Sequence, residues 1–377
     1  MFEDLIYLDN NATTPLDPIV LEAMMPYMTY NFANAASTHH FGMTANEAVK
    51  KARQQVADLI GAEPYEIVFT SGATEAINLA IKGVSETYLN KGNHIVTAST
   101  EHSAVLDTCK YLETKGFEVS YLPVQSNGLL DMELVKKAIR KDTILVSVMH
   151  VNNETGVIQS IKEIAELAHE KGAIFMSDTT QSVGKTPINV EDIGIDLLSI
   201  SAHKMYGPKG IGALYFGQKE NRIKIPTQIH GGGHEGGLRS GTLNVPGIVG
   251  LGKACELAGK EMKENKIKIK KMRDDLEEKL LSSNRVKLNC KGDTRIFNTI
   301  NFRVDGLDAN ILIGIVKNIA FSNGSACTSA IIEPSHVLTE MGLTEQEAFS
   351  SIRISLGKFN TLKEIKYATE KLSPWIN

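Results

Sequence analysis

Short apolar stretches alternate with amphipathic stretches from about residue 45 to residue 215. The apolar stretches have the composition of strands that are buried on both faces; they read EIVFT, HIVTAS, FEVSYLPV, TILVSVMHV and AIFMSD. Between them, segments such as ANEAVKKARQQVADLIGA repeat apolar residues at helical spacing. This alternation predicts βαβ units around a mainly parallel sheet. The segment DLLSISAHKMYGPKGIGALYF instead indicates two strands joined by a Gly/Pro turn.

The pattern changes after HGGGHEGGLRSGTLNVPG. A long helical segment follows, in which Ile269, Met272, Leu276 and Leu280 recur on one face. Behind it, TINFRV and SIRISLG have the pattern of strands, and ANILIGIVKNIA and LKEIKYATEKL that of helices, which predicts a smaller α+β domain. We therefore expect an α/β protein whose domain boundary lies near residue 256. The predicted large domain spans 12–256, and the small domain combines 1–11 with 257–377.

The composition is that of a globular protein without a specialised surface. Hydrophobic residues make up 42% of the chain and charged residues 22%, and the formal net charge is −4. This charge gives no basic footprint for direct nucleic-acid binding. No apolar run approaches the roughly 18 residues of a membrane span, and the N-terminus MFEDLIYLDN has no signal-peptide pattern. We expect a cytoplasmic protein.

The four cysteines differ in their surroundings. Cys109 and Cys255 lie in helix-like segments, and Cys290 follows a strand-like stretch, so we expect all three to be ordinary reduced core thiols. Cys327 instead lies in FSNGSACTSA, a polar loop rich in Gly and Ser. Cysteine is more often buried than placed in such a loop, which makes Cys327 a candidate for chemistry.

Polar side chains gather where predicted strands end, which is the edge at which α/β sheets bind ligands. Each has an ordinary explanation alone, as a helix cap, an exposed turn lysine or a satisfied polar group. The candidates are Asp178 and Gln181 after AIFMS, Ser201, His203 and Lys204 after LLSIS, His102 after HIVTAST, and Ala73, Thr74 and Glu75 at a helix start.

Together these residues meet the needs of pyridoxal phosphate. That cofactor requires a Schiff-base lysine, a carboxylate at its ring nitrogen, a phosphate cradle and a planar group against its ring. Lys204, Asp178, the Thr74 helix terminus with Ser201, and His102 would supply them. Lys209 in GPKG is a second candidate for the Schiff base, but Lys204 directly follows the strand and His203. We predict no metal, since His230 and His234 have no evident third ligand.

Over almost its whole length the chain resembles a class I cysteine desulfurase, within the aspartate-aminotransferase-like fold of pyridoxal-phosphate-dependent transferases. The matching stretches are YLDNNATTPLDP, SGATEAIN, EH, NNETG, SDTTQSVGK, SAHKMYGPKG, GGGHE, RSGT, SNGSACTS and SSIRISLG. The combination of HK with GSACTS is specific, since related pyridoxal-phosphate enzymes share the first but lack the second.

The resemblance implies a role for each cofactor-site residue. Lys204 would form the Schiff base, Asp178 would pair with the pyridine nitrogen and Gln181 with the ring hydroxyl. His102 would stack on the ring and assist proton transfer. The phosphate would be held at the helix start and by two strand-end residues, with one residue from a partner subunit of a homodimer; these are Ala73, Thr74, Ser201, His203 and the partner-supplied Thr242.

The resemblance also implies a substrate site. Asn153 and Arg353 would bind the substrate carboxylate, and His39 would lie nearby. Arg353 alternates with Ile352 and Ile354, so it points away from the apolar face of its strand. An ion pair at the surface is the ordinary alternative for Arg353.

The implied reaction is the removal of sulfur from L-cysteine. Cys327, on a mobile loop of about residues 321–333, would attack the substrate sulfur, leave L-alanine and carry a persulfide to an acceptor protein. A free thiol is only a few per cent ionised near neutrality, so a proton acceptor is needed, and His102 is the candidate. The acceptor could belong to iron–sulfur cluster, tRNA thiolation or DNA phosphorothioation systems.

Two other functions compete. A selenocysteine lyase or another pyridoxal-phosphate enzyme of this fold would share most of the motifs, and a non-catalytic platform in a sulfur-transfer complex would share the fold. The chain also ends at KLSPWIN, soon after the last predicted helix. Housekeeping members have a longer tail that docks the iron–sulfur scaffold, so we expect an accessory or pathway-dedicated desulfurase.

Overall fold

A computed structural model describes residues 5–218, 223–292, 294–323 and 333–376. Within these ranges the strands are β1 (Ile6–Tyr7), β2 (Ile67–Thr70), β3 (His94–Ala98), β4 (Glu118–Leu122), β5 (Thr143–Ser147), β6 (Ile174–Asp178), β7 (Leu197–Ser201), β8 (Gly212–Phe216), β9 (Val286–Leu288), β10 (Thr299–Val304), β11 (Ile319–Ala320) and β12 (Ser351–Ser355). The helices are α1 (Pro18–Thr29), α2 (His40–Ile60), α3 (Ala73–Thr87), α4 (Ser103–Glu113), α5 (Met132–Ala138), α6 (Ile161–Glu170), α7 (Val190–Ile193), α8 (Val245–Leu280), α9 (Ala309–Ile315), α10 (His336–Glu340), α11 (Glu345–Phe349) and α12 (Leu362–Ile376).

The large sheet has seven strands in the order β2–β8–β7–β6–β5–β3–β4. Strand β8 runs antiparallel to both of its neighbours, whereas the other pairs are parallel. The central strands are buried on both faces, as their continuous apolar sequences predict. The two strands expected around the Gly/Pro turn are β7 and β8, which confirms that prediction. The carboxyl ends of β3, β5, β6 and β7 therefore lie at one edge.

A second, smaller sheet has the order β12–β10–β9 and is antiparallel. The N-terminal strand β1 pairs in parallel with β11, so the start of the chain joins this second unit. Ile6 and Leu8 pack there in one hydrophobic cluster with Phe302, Ile352 and Ile354. From that cluster the chain runs through residues 9–14 toward the edge of the large sheet.

Helix α8 is 36 residues long and belongs to both units. Its first turns, including Ile248 and Leu251, are buried in the core beside the large sheet. Its last turns bury Ile269, Met272, Leu276 and Leu280 in the second cluster, which confirms the predicted apolar face. The predicted boundary at residue 256 falls inside this continuous helix, and the domain limits stay a prediction.

The contact between α8 and α2 depends on a glycine. A Cβ added at Gly252 would lie 2.6 Å from the backbone Cα of Ala52, which cannot move without shifting α2. Gly259 lies further along the same helix. A Cβ added there would be 3.6 Å from the flexible Leu59 side chain.

We predict that Gly252→Ala lowers the free energy of unfolding by about 1–3 kcal/mol, because the overpacking outweighs the roughly 1 kcal/mol that alanine gains in a helix. Gly259→Ala is the matched control and should be neutral or stabilising. Denaturant unfolding of both variants measures this. Equal stabilities for the two would contradict the packing described here.

Candidate active site

Lys204 and Asp178 lie at the carboxyl edge of adjacent strands β7 and β6. Lys204 ends a short 3-10 turn that follows β7, and its Nζ donates to the backbone oxygens of Asn11 at 2.6 Å and Ala12 at 2.8 Å. Burial, with the nearby Arg353 cation, lowers the pKa of Lys204 to about 8. The Asp178 Oδ1 atom accepts from Ser199 Oγ and from the Thr180 N–H, both at 2.9 Å. An amine and an oriented carboxylate thus share this edge.

The start of α3 forms an open backbone cradle beside this pair. Helix α3 begins at Ala73, directly after Gly72, and Thr74 is exposed in its first turn. A Cβ on Gly72 would have Ser201 Oγ as its nearest atom, at 3.9 Å. Free N–H groups at a helix start favour an anion. The only acidic residue of that turn, Glu75, is already paired with Arg239 at 2.8 Å.

His102 is the N-cap of α4. Its Nδ1 accepts the backbone N–H of Ala104 at 3.1 Å. This assigns the neutral ring a proton on Nε2, because Nδ1 is in use as an acceptor. Desolvation lowers the pKa of His102; the Asp178 carboxylate opposes this shift, and the Lys204 cation adds to it. The residue as a whole is exposed to solvent.

His203 is held by the N-terminal segment. Its Nδ1 lies 3.1 Å from Thr13 Oγ1, and its backbone oxygen accepts the Thr14 N–H at 2.8 Å. Burial, followed by the Lys204 cation, lowers its pKa to about 4, so the ring is neutral at physiological pH. Nε2 is the nitrogen that this contact with Thr13 leaves available.

Gln181 lies one turn beyond Asp178. Its Nε2 donates to the Asn11 backbone oxygen at 2.9 Å, and its Oε1 accepts from Lys185 Nζ at 2.8 Å. The Asn11 oxygen therefore accepts from both Gln181 and Lys204.

Arg353 and Asn153 meet although they are 200 residues apart. The Arg353 Nη1 atom donates to the Asn153 backbone oxygen at 3.1 Å, and its Nη2 forms an ion pair with Asp9 at 2.6 Å. The side chain lies on the face of β12 opposite to Ile352 and Ile354, but that face is also buried, so the expected alternative of a surface ion pair is wrong. Among the described residues, the buried Arg353 Nε has no hydrogen-bond partner.

The predicted residues that remain are separate from this cluster within one chain. His39 is exposed and caps α2, with Nδ1 accepting the Gly42 N–H at 3.2 Å. Thr242 is exposed in the segment before α8. Cys327 lies outside the described residues, as does most of the predicted loop around it.

The three described cysteines are buried core residues, as predicted. Burial raises the pKa of Cys109 and Cys255 to about 12 and that of Cys290 to about 11. Such thiols carry almost no thiolate near neutrality and are poor nucleophiles.

Comparison with known proteins identifies the family. A model described as aminotransferase class-V matches residues 6–367. The chain belongs to this family. Cysteine desulfurase IscS of Serratia proteamaculans is 52% identical over 368 residues, which cover 97% of this chain and 91% of that protein.

Solved structures extend the likeness to three dimensions. A NifS-like protein has a TM-score of 0.92 and 38% identity, covering 98% of this chain and 99% of its own. SspA, solved in complex with cysteine, has a TM-score of 0.84 and 40% identity, covering 94% of this chain and 100% of its own. These matches confirm the predicted aspartate-aminotransferase-like fold and the resemblance to cysteine desulfurases.

Asp9, Asn11 and Lys185 are residues of this site for which the sequence analysis predicts no role. Asp9 and Asn11 were visible only as part of the motif YLDNNATTPLDP, and Lys185 only as the end of SDTTQSVGK. All three are charged or amide residues that lie inside a matched motif and outside any apolar face. That combination could have identified them from the sequence.

Over residues 5–218, 223–292, 294–323 and 333–376 no group of three or more His, Cys, Asp or Glu side chains could hold a metal ion. In the same part of the chain no helix has the length and apolar character to cross a membrane.

Proposed function

We infer that this protein is an L-cysteine desulfurase that depends on pyridoxal 5′-phosphate. The observation that carries the inference is the meeting of Lys204 and Asp178 at one sheet edge, with the Arg353 cation of β12 nearby, in a chain whose relatives of 52% identity are cysteine desulfurases. A cytoplasmic location agrees with this activity. The persulfide on Cys327 would pass to an acceptor protein in an iron–sulfur, tRNA thiolation or DNA phosphorothioation system.

The residues present fit the cofactor. Lys204 offers an amine, and Asp178 offers a carboxylate whose Oδ1 is fixed by Ser199 and Thr180. The start of α3 offers the N–H groups of Ala73 and Thr74 to a phosphate, with the Ser201 hydroxyl opposite. His203 Nε2 and the ring of His102 would complete the site, with Gln181 at the ring hydroxyl. When bound, pyridoxal phosphate supplies an electron sink for the substrate carbon.

Arg353 is suited to hold the substrate carboxylate. Its charge is permanent, because guanidinium groups do not lose their proton in proteins. Asp9 and the Asn153 oxygen fix its position, and no residue in the described part of the chain bonds to its buried Nε. An unpaired buried donor is costly, and a bound carboxylate would remove that cost. Asn153 and His39 would contact the substrate beside it.

Lys204 is suited to move the substrate Cα proton. With a pKa of about 8, Lys204 is a neutral amine in about a tenth of the protein molecules at pH 7, a far larger fraction than for an ordinary lysine. A neutral amine has the lone pair that a base requires. Because Lys204 Nζ already contacts Asn11 and Ala12, its position is fixed before substrate arrives.

Cys327 would take the sulfur. Its thiolate attacks the substrate sulfur, a sulfur–sulfur bond forms and the carbon–sulfur bond breaks, leaving L-alanine after protonation of carbon. Cys327 must first lose a proton. His102 was predicted to accept it, but the lone pair on Nδ1 is engaged by the Ala104 N–H, so that role requires loss of the cap bond.

We predict that Cys327→Ser retains the visible absorbance of the bound cofactor but forms no persulfide with L-cysteine, because the hydroxyl cannot hold the transferred sulfur as a thiol does. Alanine and sulfide release together with the mass of the peptide containing residue 327 measure this. The peptides containing Cys109, Cys255 and Cys290 are internal controls and should keep their masses. A colourless protein that pyridoxal phosphate cannot reconstitute would contradict the enzyme assignment; normal desulfuration by Cys327→Ser would contradict the role of Cys327.

We further propose that two copies of the chain form a homodimer through α1 and the segment that follows it. This region and the first residues of α2 carry exposed apolar side chains, called the patch below; they are Ile19, Leu21, Met25, Met28, Tyr30, Phe32, Phe41 and Met43. A concentration of exposed apolar side chains is typical of interaction sites. A second copy would also supply Thr242 to the phosphate cradle.

We predict that Phe32→Asp, which puts a charge on a side chain that is 78% exposed in the single chain, yields a monomer with weakened cofactor binding. Ile267→Asp on α8, at 73% exposure but outside the patch, is the matched control and should stay dimeric. Sedimentation velocity distinguishes the two masses. A dimer that survives Phe32→Asp unchanged would contradict this interface.

A further inference from the structure

A second lysine lies beside Lys204. Lys185 lines the same enclosed space between α8 and the small sheet as Lys204, Tyr206 and Asn298. Burial, together with the nearby Lys204 and Arg353 cations, lowers its pKa to about 7. Glu261, the acidic residue that lines this space, is already paired with Lys358 at 2.8 Å.

Such a lysine is costly to keep. Removing an amine from water destabilises a folded protein unless other contacts replace its hydration, and an apolar side chain at the same place would avoid this cost. The reason for Lys185 must therefore be sought in its contacts. Its hydrogen bond is to the Oε1 atom of Gln181, at 2.8 Å.

That hydrogen bond is part of a series of hydrogen bonds that connects Lys185 to Lys204. Lys185 Nζ donates to Gln181 Oε1, Gln181 Nε2 donates to the Asn11 oxygen, and Lys204 Nζ donates to that same oxygen. The amide of Gln181 is thus held at both ends. An amide nitrogen has two N–H donors, so one remains after the bond to Asn11.

We propose that Lys185 is a positioning residue that fixes the amide of Gln181 so that its second N–H faces the ring hydroxyl of pyridoxal phosphate. The proposal rests on the role given to Gln181 above. Without Lys185, Oε1 would be left buried and unpaired, and the amide would turn to find a donor. The ordinary alternative is a lysine that merely fills space, and it predicts no coupling between the two side chains.

A double-mutant cycle on the full chain tests this. Lys185→Met, Gln181→Leu and the double variant are stripped of cofactor and titrated with pyridoxal phosphate, and the pH midpoint of the visible absorbance is recorded for each. Loss of one oriented hydrogen bond should weaken cofactor binding by about tenfold in each single variant. The double variant should bind no more weakly than Gln181→Leu, because Lys185 acts through Gln181. The midpoint should shift in the same direction in all three.

Controls separate the possible failures. Lys162→Met, an exposed lysine on α6, should bind as the unchanged protein does. Lys185→Arg keeps a hydrogen-bond donor and should retain most of the cofactor affinity that Lys185→Met loses. If Lys185→Met unfolds, Lys185→Arg replaces it in the test. Wild-type affinity in Lys185→Met, losses that multiply in the double variant, or no recovery by arginine would overturn the proposal. Wild-type affinity in Gln181→Leu would instead contradict the cofactor role of Gln181.

Discussion

One short segment, residues 9–14, holds the site together. It passes from the small unit to the edge of the large sheet, and its Asn11 oxygen accepts from both Lys204 and Gln181. The Asn11 side chain donates to the Asn153 oxygen at 3.1 Å and to Thr299 Oγ1 at 2.9 Å. Lys204 and Gln181 therefore donate to the same backbone oxygen, which fixes their positions relative to each other.

The same segment balances the charges of the site. Lys185, Lys204 and Arg353 are basic side chains that lie close together, and burial lowers the pKa of both lysines. Arginine cannot respond in this way, so it needs a counter-ion, and Asp9 supplies one at 2.6 Å. The result is one permanent charge suited to a carboxylate and one amine that is partly neutral, as the proposed reaction requires.

The sequence predicted those parts of the fold and the site that depend on local pattern. Asp178 and Lys204 could be identified because they follow apolar strands, and the carboxyl ends of parallel strands share an edge. The apolar face of α8 could be read from its spacing. Strand β1, two residues long, leaves too short a pattern to recognise.

Long-range contacts explain what the sequence did not reveal. Nothing local marks Asp9 as the partner of Arg353 or Asn11 as the acceptor for Lys204, since each pair is joined only when the two units fold together. Pattern reading placed Arg353 on the polar face of its strand but could not show that this face is also buried. Thr242 is exposed in the single chain, and its proposed role depends on a second copy.

The most direct test of this account is to identify the lysine that binds the cofactor. Borohydride reduction of the protein with pyridoxal phosphate fixes the cofactor to the amine, and peptide mass spectrometry then locates it. Because Lys204 lies at the strand edge with Asp178 and is held by Asn11, we predict that the label falls on Lys204. A label on Lys185 or Lys209, or on no lysine, would contradict the account.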